Sequence, residues 1–341
     1  MYTKSSRGSF IRIGDIVNDR YRIRKQIGAG GCGIVYSCYD LRELQHVAMK
    51  FDRCAMQSSV RWERDVMLAA SSCSHIVNAL DFGTWNGRNY LVMDHLGPDL
   101  SRDVANQIGN IYSPIKIAYF GRQMIEAIMQ LHGIGYFHND LKPSNFALGN
   151  PPFGSTDTLY LFDFGLARTA EQSFERSDNI VGTLSYASIG AHLHYVSDPW
   201  NDLQSVFYSL ISLATGSLPW MDCSDAEEVF QQKVNLKIQD VVSEQYESIL
   251  KMGSYLGSSN FVGTPNYRVL IRYFDDEVRR LTSQGLRSPL AHGYQQEANF
   301  RVPQAKIYWR KSALATHEIA KVLCEQESAK NGCGIGCLDD E

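Results

Sequence analysis

Alternation of apolar and polar positions dominates the first hundred residues. Residues 21–27 and 34–39 carry alternating or β-branched side chains on either side of a glycine cluster, and residues 46–51 follow after a polar turn. Side chains on a strand point to opposite faces in turn, so these segments are expected to form three antiparallel strands. Between 59 and 70 the period changes: Val60, Trp62, Val66, Met67 and Ala70 fall among charged residues at mostly helical spacing. One helix is predicted there, and the run Asn89-Tyr90-Leu91-Val92-Met93 reads as a further short strand.

From residue 113 the helical period takes over. Ile117, Phe120, Met124, Ile125, Ile128 and Leu131 recur at three and four residues, and Gly133 stops the run. A later helix begins near Asn201, with Leu203, Val206, Phe207, Leu210, Ile211 and Ala214 leading to Gly216 and Pro219 as terminators. Its apolar content predicts a buried helix. Past residue 285 the pattern weakens into polar and charged stretches, with one helix expected over 311–325 and a glycine-rich end; no internal repeat is present.

A small sheet-rich lobe followed by a larger helical lobe is an α+β arrangement, in which a ligand could sit in the cleft between lobes. The expected organisation is an N-terminal extension over 1–20, one domain over 21–285 with lobes at 21–95 and 96–285, and a partly ordered C-terminal extension over 286–341.

Composition narrows the classes of function. Of 341 residues, 44% are hydrophobic and 21% charged, the balance of a folded, water-soluble protein. The net charge of −4 lacks the strongly basic balance of a nucleic-acid binder, so no nucleic-acid partner is expected. No apolar run approaches the roughly 20 residues that span a bilayer, and residues 1–12 carry no apolar signal core. No membrane partner is therefore expected, and the cytoplasm or nucleus is the expected location. The eight cysteines include no CxxC pair, which argues against a structural zinc site or a disulfide scaffold; Cys333 and Cys337 lie in the terminal GCGIGC run.

Residues 27–36 read IGAGGCGIVY, a glycine cluster between two strands. Glycine lets backbone amides approach phosphate oxygens with no Cβ in the way, so Ile27, Gly28, Ala29, Gly30, Gly31 and Gly33 are candidate nucleotide contacts. A hairpin turn or a dinucleotide fold would also use such glycines, but a strand follows here where the dinucleotide fold needs a helix. Lys50 ends Val47-Ala48-Met49-Lys50 on the third strand, where an ammonium can pair with α and β phosphates. Glu63, on the predicted helix, is the carboxylate that would face it. Either residue alone would pass as an ordinary surface charge.

The run His138-Asn139-Asp140-Leu141-Lys142-Pro143-Ser144-Asn145 is more specific. Asp140 can accept the proton of a substrate hydroxyl, Lys142 can neutralise a transferring phosphoryl group, and Asn145 offers a carbonyl oxygen to Mg2+. Asp163-Phe164-Gly165 follows the strand-like 159–162, and Asp163 is placed to bridge Mg2+ to the β and γ phosphates. A second copy of that triplet, Asp81-Phe82-Gly83, precedes the catalytic loop and is read as structural. The order of these motifs predicts a protein kinase that uses ATP and Mg2+, in which positioning and charge stabilisation do the work without a covalent enzyme intermediate.

Over residues 14–281 the chain resembles the casein kinase I superfamily, and within it the tau-tubulin kinase branch. The marks are Gly14-Asp15 before Asp19-Arg20-Tyr21, Leu96-Gly97-Pro98, and Lys142-Pro143-Ser144-Asn145-Phe146. In addition, Gly182-Thr183-Leu184-Ser185-Tyr186-Ala187-Ser188-Ile189 stands where most other kinases carry Ala-Pro-Glu. The resemblance implies a bilobal protein kinase fold, a monomer, and transfer from ATP to serine or threonine acceptors on protein substrates. It implies that Met93 is the gatekeeper, that backbone groups of Asp94 and Leu96 bind adenine, and that Val35 and Ala48 line the adenine pocket. Thr183 would contact Asp140 and Lys142, the mark of serine/threonine specificity. Asp202 would hold the catalytic loop from the start of the central helix, unless it is a plain helix N-cap.

The departures matter as much. Asn139 stands where the family has an arginine, and an asparagine cannot offer a bidentate clamp to a phosphate on the activation segment. Activity without phosphorylation of that segment is therefore expected. Ser185 replaces an arginine of the basic cluster that reads a phosphate already on the substrate, leaving Arg168 and Lys233, so strict recognition of primed substrates is expected to be weakened. The activation segment, 168–181, is short. Asn139 and the altered segment also motivate a rival reading, a pseudokinase scaffold that binds partner proteins without transferring phosphate. A small-molecule kinase is disfavoured by the peptide-binding segment 182–189.

Overall fold

A computed structural model describes residues 11–286, apart from 32, 54–58, 173–176, 196–197, 260 and 262. The helix expected over 311–325 and Cys333 and Cys337 of the tail lie outside the described residues. The chain divides into two compact units, one running to Leu100 and including Asn145–Ala167, the other comprising Ser101–Ser144 and the chain from Arg168 onward.

The first unit is built on a six-stranded antiparallel sheet. Its strands are β1 (Ile16–Val17), β2 (Tyr21–Gly30), β3 (Gly33–Asp40), β4 (Gln45–Phe51), β5 (Ala79–Trp85) and β6 (Arg88–Asp94), in the order β1-β2-β3-β4-β6-β5. The alternation in β2 puts Tyr21 and Ile23 inside and Arg22 and Arg24 outside. β4 is an interior strand and is buried from Val47 to Phe51. Tyr21, Ile23, Tyr36, Cys38, Val47, Met49, Phe51, Tyr90 and Val92 form a common core, and each such side chain removed from water is worth about 1.5–3 kcal/mol. The strand β5 was not anticipated, because its side chains alternate only between half-buried and exposed. It carries Asp81-Phe82-Gly83, and the Tyr21 hydroxyl donates to Asp81 Oδ2 at 2.6 Å. That second triplet is thus part of the sheet.

Helix α1 (Ser59–Ala69) buries Val60, Glu63, Val66 and Met67, the inward stripe expected from its spacing. A short hairpin of Phe146–Leu148 with Leu159–Leu161 and a single 3-10 turn, Phe164–Leu166, complete this unit.

The second unit is helical: α2 (Leu100–Ala105), α3 (Pro114–Gly133), α4 (Ile189–His192), α5 (Pro199–Thr215), α6 (Ala226–Val234), α7 (Ile238–Val241), α8 (Glu247–Gly257) and α9 (Tyr267–Ser283). Helix α5 shows why its ends fall where they do. The Asp198 carboxylate accepts the Asn201 N–H at 2.8 Å, Pro199 opens the first turn, and Gly216, at φ 84°, closes the helix in the left-handed conformation. All of α5 between Pro199 and Ile211 is buried, as its composition predicted. Helices α6, α8 and α9 were not anticipated. In α9 the stripe Tyr267, Leu270, Phe274, Val278 and Leu281 is buried, but charged residues fill the gaps and dilute the signal. Among the described residues no helix is long and apolar enough to cross a membrane.

Candidate active site

Three charged side chains converge within the first unit. Lys50 Nζ donates to Glu63 Oε1 at 2.6 Å and to Asp163 Oδ1 at 2.8 Å. Lys50 and Glu63 are 5% and 1% exposed, so neither is the ordinary surface charge that its position alone would allow. Burial opposes the Lys50 ammonium, but the two carboxylates outweigh it and hold the lysine charged above its ordinary range. One cation shared between two anions cannot fully compensate Glu63, whose carboxyl burial pushes up to about 7.

Local contacts set this geometry. The Asp52 carboxylate, two residues past Lys50, accepts the Val60 N–H at 3.2 Å and the Ser59 hydroxyl at 3.3 Å, so the first turn of α1 is tied to the end of β4. Asn89 Nδ2 donates to the other Asp52 oxygen at 3.2 Å. The Trp62 indole N–H donates to the Ala167 carbonyl at 2.8 Å, which ties the same helix to the segment after Asp163. Asp163 itself sits at φ 66°, and Phe164 beside it is fully buried.

The glycine cluster lies across the end of β2 and the start of β3. A Cβ on Gly30 or Gly31 would meet nothing within 4 Å, whereas one on Gly33 would lie 2.5 Å from the Phe51 carbonyl and 3.4 Å from Lys50 Cε. Only glycine allows this backbone to pass so close above Lys50. Ile27 and Gly28 are half-buried and Ala29 is exposed; Val35 pairs with both Gly28 and Lys50 across the sheet. Ala48 pairs with Met93, and both are buried. The Asp94 carboxylate turns inward and accepts the Asn78 side chain at 2.8 Å, while Leu96 is half-buried just beyond β6.

Asn145 is 3% exposed, and its carbonyl accepts the Phe162 N–H at 3.1 Å, which holds it next to the strand that leads into Asp163. Among the described residues no group of three or more His, Cys, Asp and Glu side chains could hold a metal by itself. The amide oxygen of Asn145 and the carboxylate of Asp163 are hard donors. They fit the pattern of Mg2+, which takes one or two side-chain ligands and completes its shell with phosphates and water.

A second polar cluster lies within the helical unit. Lys142 Nζ donates to Asp140 Oδ2 and to Thr183 Oγ1, both at 2.7 Å. Thr183 gives its N–H and its hydroxyl to Asp140 Oδ1, at 2.8 and 2.7 Å. The contact expected of Thr183 is therefore present. Gly182 precedes it at φ 95°, and a Cβ there would lie 2.5 Å from the Asn139 carbonyl, so glycine is required on both counts.

Asp202 anchors the loop from below. Its carboxylate accepts the backbone N–H groups of His138 and Asn139, at 2.7 and 2.9 Å, and lies 2.9 Å from His132 Nε2. Burial works against its charge, yet the His132 imidazole and the His138 N–H hold the carboxyl below its ordinary value. The N-cap of α5 is Asp198, so Asp202 is no plain cap. His132, which also reaches the Tyr267 hydroxyl through Nδ1, escaped the sequence reading because its partners lie 70 and 135 residues away.

One expectation needs correcting. The sequence makes Lys233 a surviving cation of a substrate-phosphate cluster, but it is 3% exposed, and its Nζ donates inward to the carbonyls of Leu184 and Ala187, both at 2.7 Å. Burial works against its charge and lowers the ammonium below its ordinary range, while the carbonyls that accept from Nζ favour the form that carries all three protons. Helix α6 buries Val229, Phe230 and Lys233 together, a stripe in which the lysine stem packs as an apolar residue would. Arg168, of the same expected cluster, lies half-buried in a two-residue strand paired with Tyr136–Phe137.

Comparison with known proteins gives the same reading. A protein described as "Probable serine/threonine-protein kinase" from Dictyostelium discoideum is 32% identical over 270 residues, covering 77% of this chain and 54% of that protein. Casein kinase I homologs 1 and 2 of Schizosaccharomyces pombe are 26% and 28% identical, covering 79% and 77% of this chain and 63% and 64% of theirs. The chain thus spans between about half and two thirds of the length of these relatives. The protein kinase domain profile matches residues 21–284, which takes in the glycine cluster and both charged clusters, and the chain belongs to the protein kinase family.

Proposed function

We propose that this protein transfers the γ-phosphate of ATP to serine and threonine hydroxyls of protein substrates, in the manner of the casein kinase I group. The observation that carries this reading is the Asp140, Lys142 and Thr183 cluster, in which a carboxylate is held by a lysine and a threonine at 2.7 Å each. Asp140 accepts the proton of the acceptor hydroxyl, and Lys142 compensates the charge of the phosphoryl group in flight. Lys50, fixed by Glu63, binds phosphate oxygens beneath the glycine cluster of Ile27, Gly28, Ala29, Gly30, Gly31 and Gly33. Val35, Ala48 and Met93 receive the adenine ring, with backbone groups of Asp94 and Leu96 as its polar contacts. Asn145 and Asp163 would hold Mg2+, which when bound would supply positive charge to the phosphates.

A scaffold without transferase activity would be expected to lack at least one of Lys50, Glu63, Asp140, Lys142, Asn145 and Asp163, and the chain carries all six. The narrower placement in the tau-tubulin kinase branch rests on the sequence marks alone. A cytoplasmic or nuclear monomer acting on proteins, with no nucleic-acid or membrane partner, is part of the same proposal. The test is a panel of matched peptides with serine, threonine or tyrosine as the single acceptor, run beside hydroxyl-bearing metabolites. Labelling of the serine and threonine peptides is expected; labelling of metabolites in preference to peptides would overturn the reading.

A further inference from the structure

Lys233 lies on α6, beneath the segment that carries Thr183. Its ammonium has no carboxylate among the described partners. Instead it donates to the carbonyls of Leu184 and Ala187, and His192 Nε2 lies 3.1 Å away. With the imidazole proton on Nδ1, Nε2 is an acceptor for the ammonium. Three acceptors thus meet the three N–H donors of one ammonium. The rings of Tyr208 and Trp220 lie 5.2 and 5.5 Å from Nζ, within the range at which an aromatic ring attracts a cation.

Trp220 adds a further bond to the same segment, its indole N–H donating to the Ser185 carbonyl at 2.7 Å. The carbonyls of Leu184, Ser185 and Ala187 are therefore all held by Lys233 and Trp220. Thr183, one residue earlier, gives both its N–H and its hydroxyl to Asp140. A continuous set of short contacts joins the buried ammonium to the base.

We propose that Lys233 is a positioning residue, whose buried ammonium clamps the 183–188 segment against α6 and so fixes both the Thr183 contact to Asp140 and the backbone along which an acceptor peptide lies. This rests on the kinase reading. It also gives the lysine a task opposite to reading a substrate phosphate, since every donor it has is spent on the protein's own chain.

The test is Lys233→Met, which keeps the length and apolar volume of the side chain but removes all three donors and leaves two buried carbonyls without their partner. kcat/KM for a serine peptide should fall about tenfold, while KM for ATP stays within about twofold. Independently of activity, amide hydrogen exchange in 183–192 should quicken in the variant while α3 and α5 keep their protection. Unchanged peptide kinetics with unchanged exchange would overturn the clamp. If the wild-type protein transfers no phosphate, the kinase reading fails, and the exchange comparison still decides the clamp. Should the variant not fold, acylation of the wild-type lysines decides. Lys233 should react much more slowly than the exposed Lys25 and Lys237; reaction at the same rate would contradict the proposal.

Discussion

Asn139 occupies a left-handed backbone position, φ 66°, which asparagine tolerates better than most residues. Its N–H is spent on Asp202, so residue 139 serves the loop through its backbone and offers no guanidinium for an activation-segment phosphate. The site was legible at this scale wherever its chemistry is local. Asp140, Lys142 and Asn145 lie within one run of six residues, and Lys50 and Glu63 sit on adjacent elements. Lys233 was misread because its burial depends on how α6 packs under residues some forty positions earlier, and no short pattern records that. His192 belongs to the same surroundings. Burial, and then the nearby Lys233 cation, lower its imidazole from 6.5 to about 4. A histidine lowered in this way is neutral in the fold, so its contribution is complete above pH 6.5 and is lost as pH falls toward 4. The shift corresponds to about 3 kcal/mol, of which about 2 kcal/mol is lost by pH 5. Denaturant unfolding at pH 7.5 and 5 should show His192→Gln losing about 2 kcal/mol less than the wild type over that interval; equal losses would place the imidazole in a solvated setting.

Helix α1 carries Glu63 and was predicted from its spacing, but the device that fixes it was not. Asp52 lies seven residues ahead of the helix's first residue in sequence and touches it only because β4 ends beside the first turn. The same limit applies to α9, whose buried stripe is interrupted by charge, and to β5, whose faces differ too little in burial for the period of two to emerge. The strands around the glycine cluster and the long helices α3 and α5 are readable because one face of each strand is apolar and apolar residues recur at three and four positions along each helix. The tie between Asp52 and Val60 makes a definite prediction. Asp52→Ala should destabilise the protein by about 1–2 kcal/mol in denaturant unfolding, the usual worth of a helix-start acceptor. Asp52→Asn, which keeps an oxygen for the Val60 N–H, should recover most of the loss. If the alanine variant matches the wild type, α1 is held by its apolar face, the Lys50–Glu63 pair and the Trp62 bond without help from Asp52.

For the molecule as a whole, residues 21–284 form the part that belongs to the kinase family, and the chain beyond them lies largely outside the described residues. The segment after Gly182 is held by Lys233, Trp220 and the Thr183 contacts to Asp140, a set of bonds that requires no phosphate on the protein. Together with Asn139 in place of an arginine, this leads us to propose a kinase that is competent as synthesised. The central claim is that Asp140 is the base of an ATP-dependent transfer. Its most direct test uses phosphatase-treated, purified protein with Mg2+ and labelled ATP, comparing the wild type with Asp140→Asn on a serine peptide. The account predicts transfer by the unphosphorylated wild type and a loss of about a hundredfold or more in the variant, with ATP affinity retained within about twofold. A wild type that binds ATP yet transfers nothing, or a variant as active as the wild type, would contradict it.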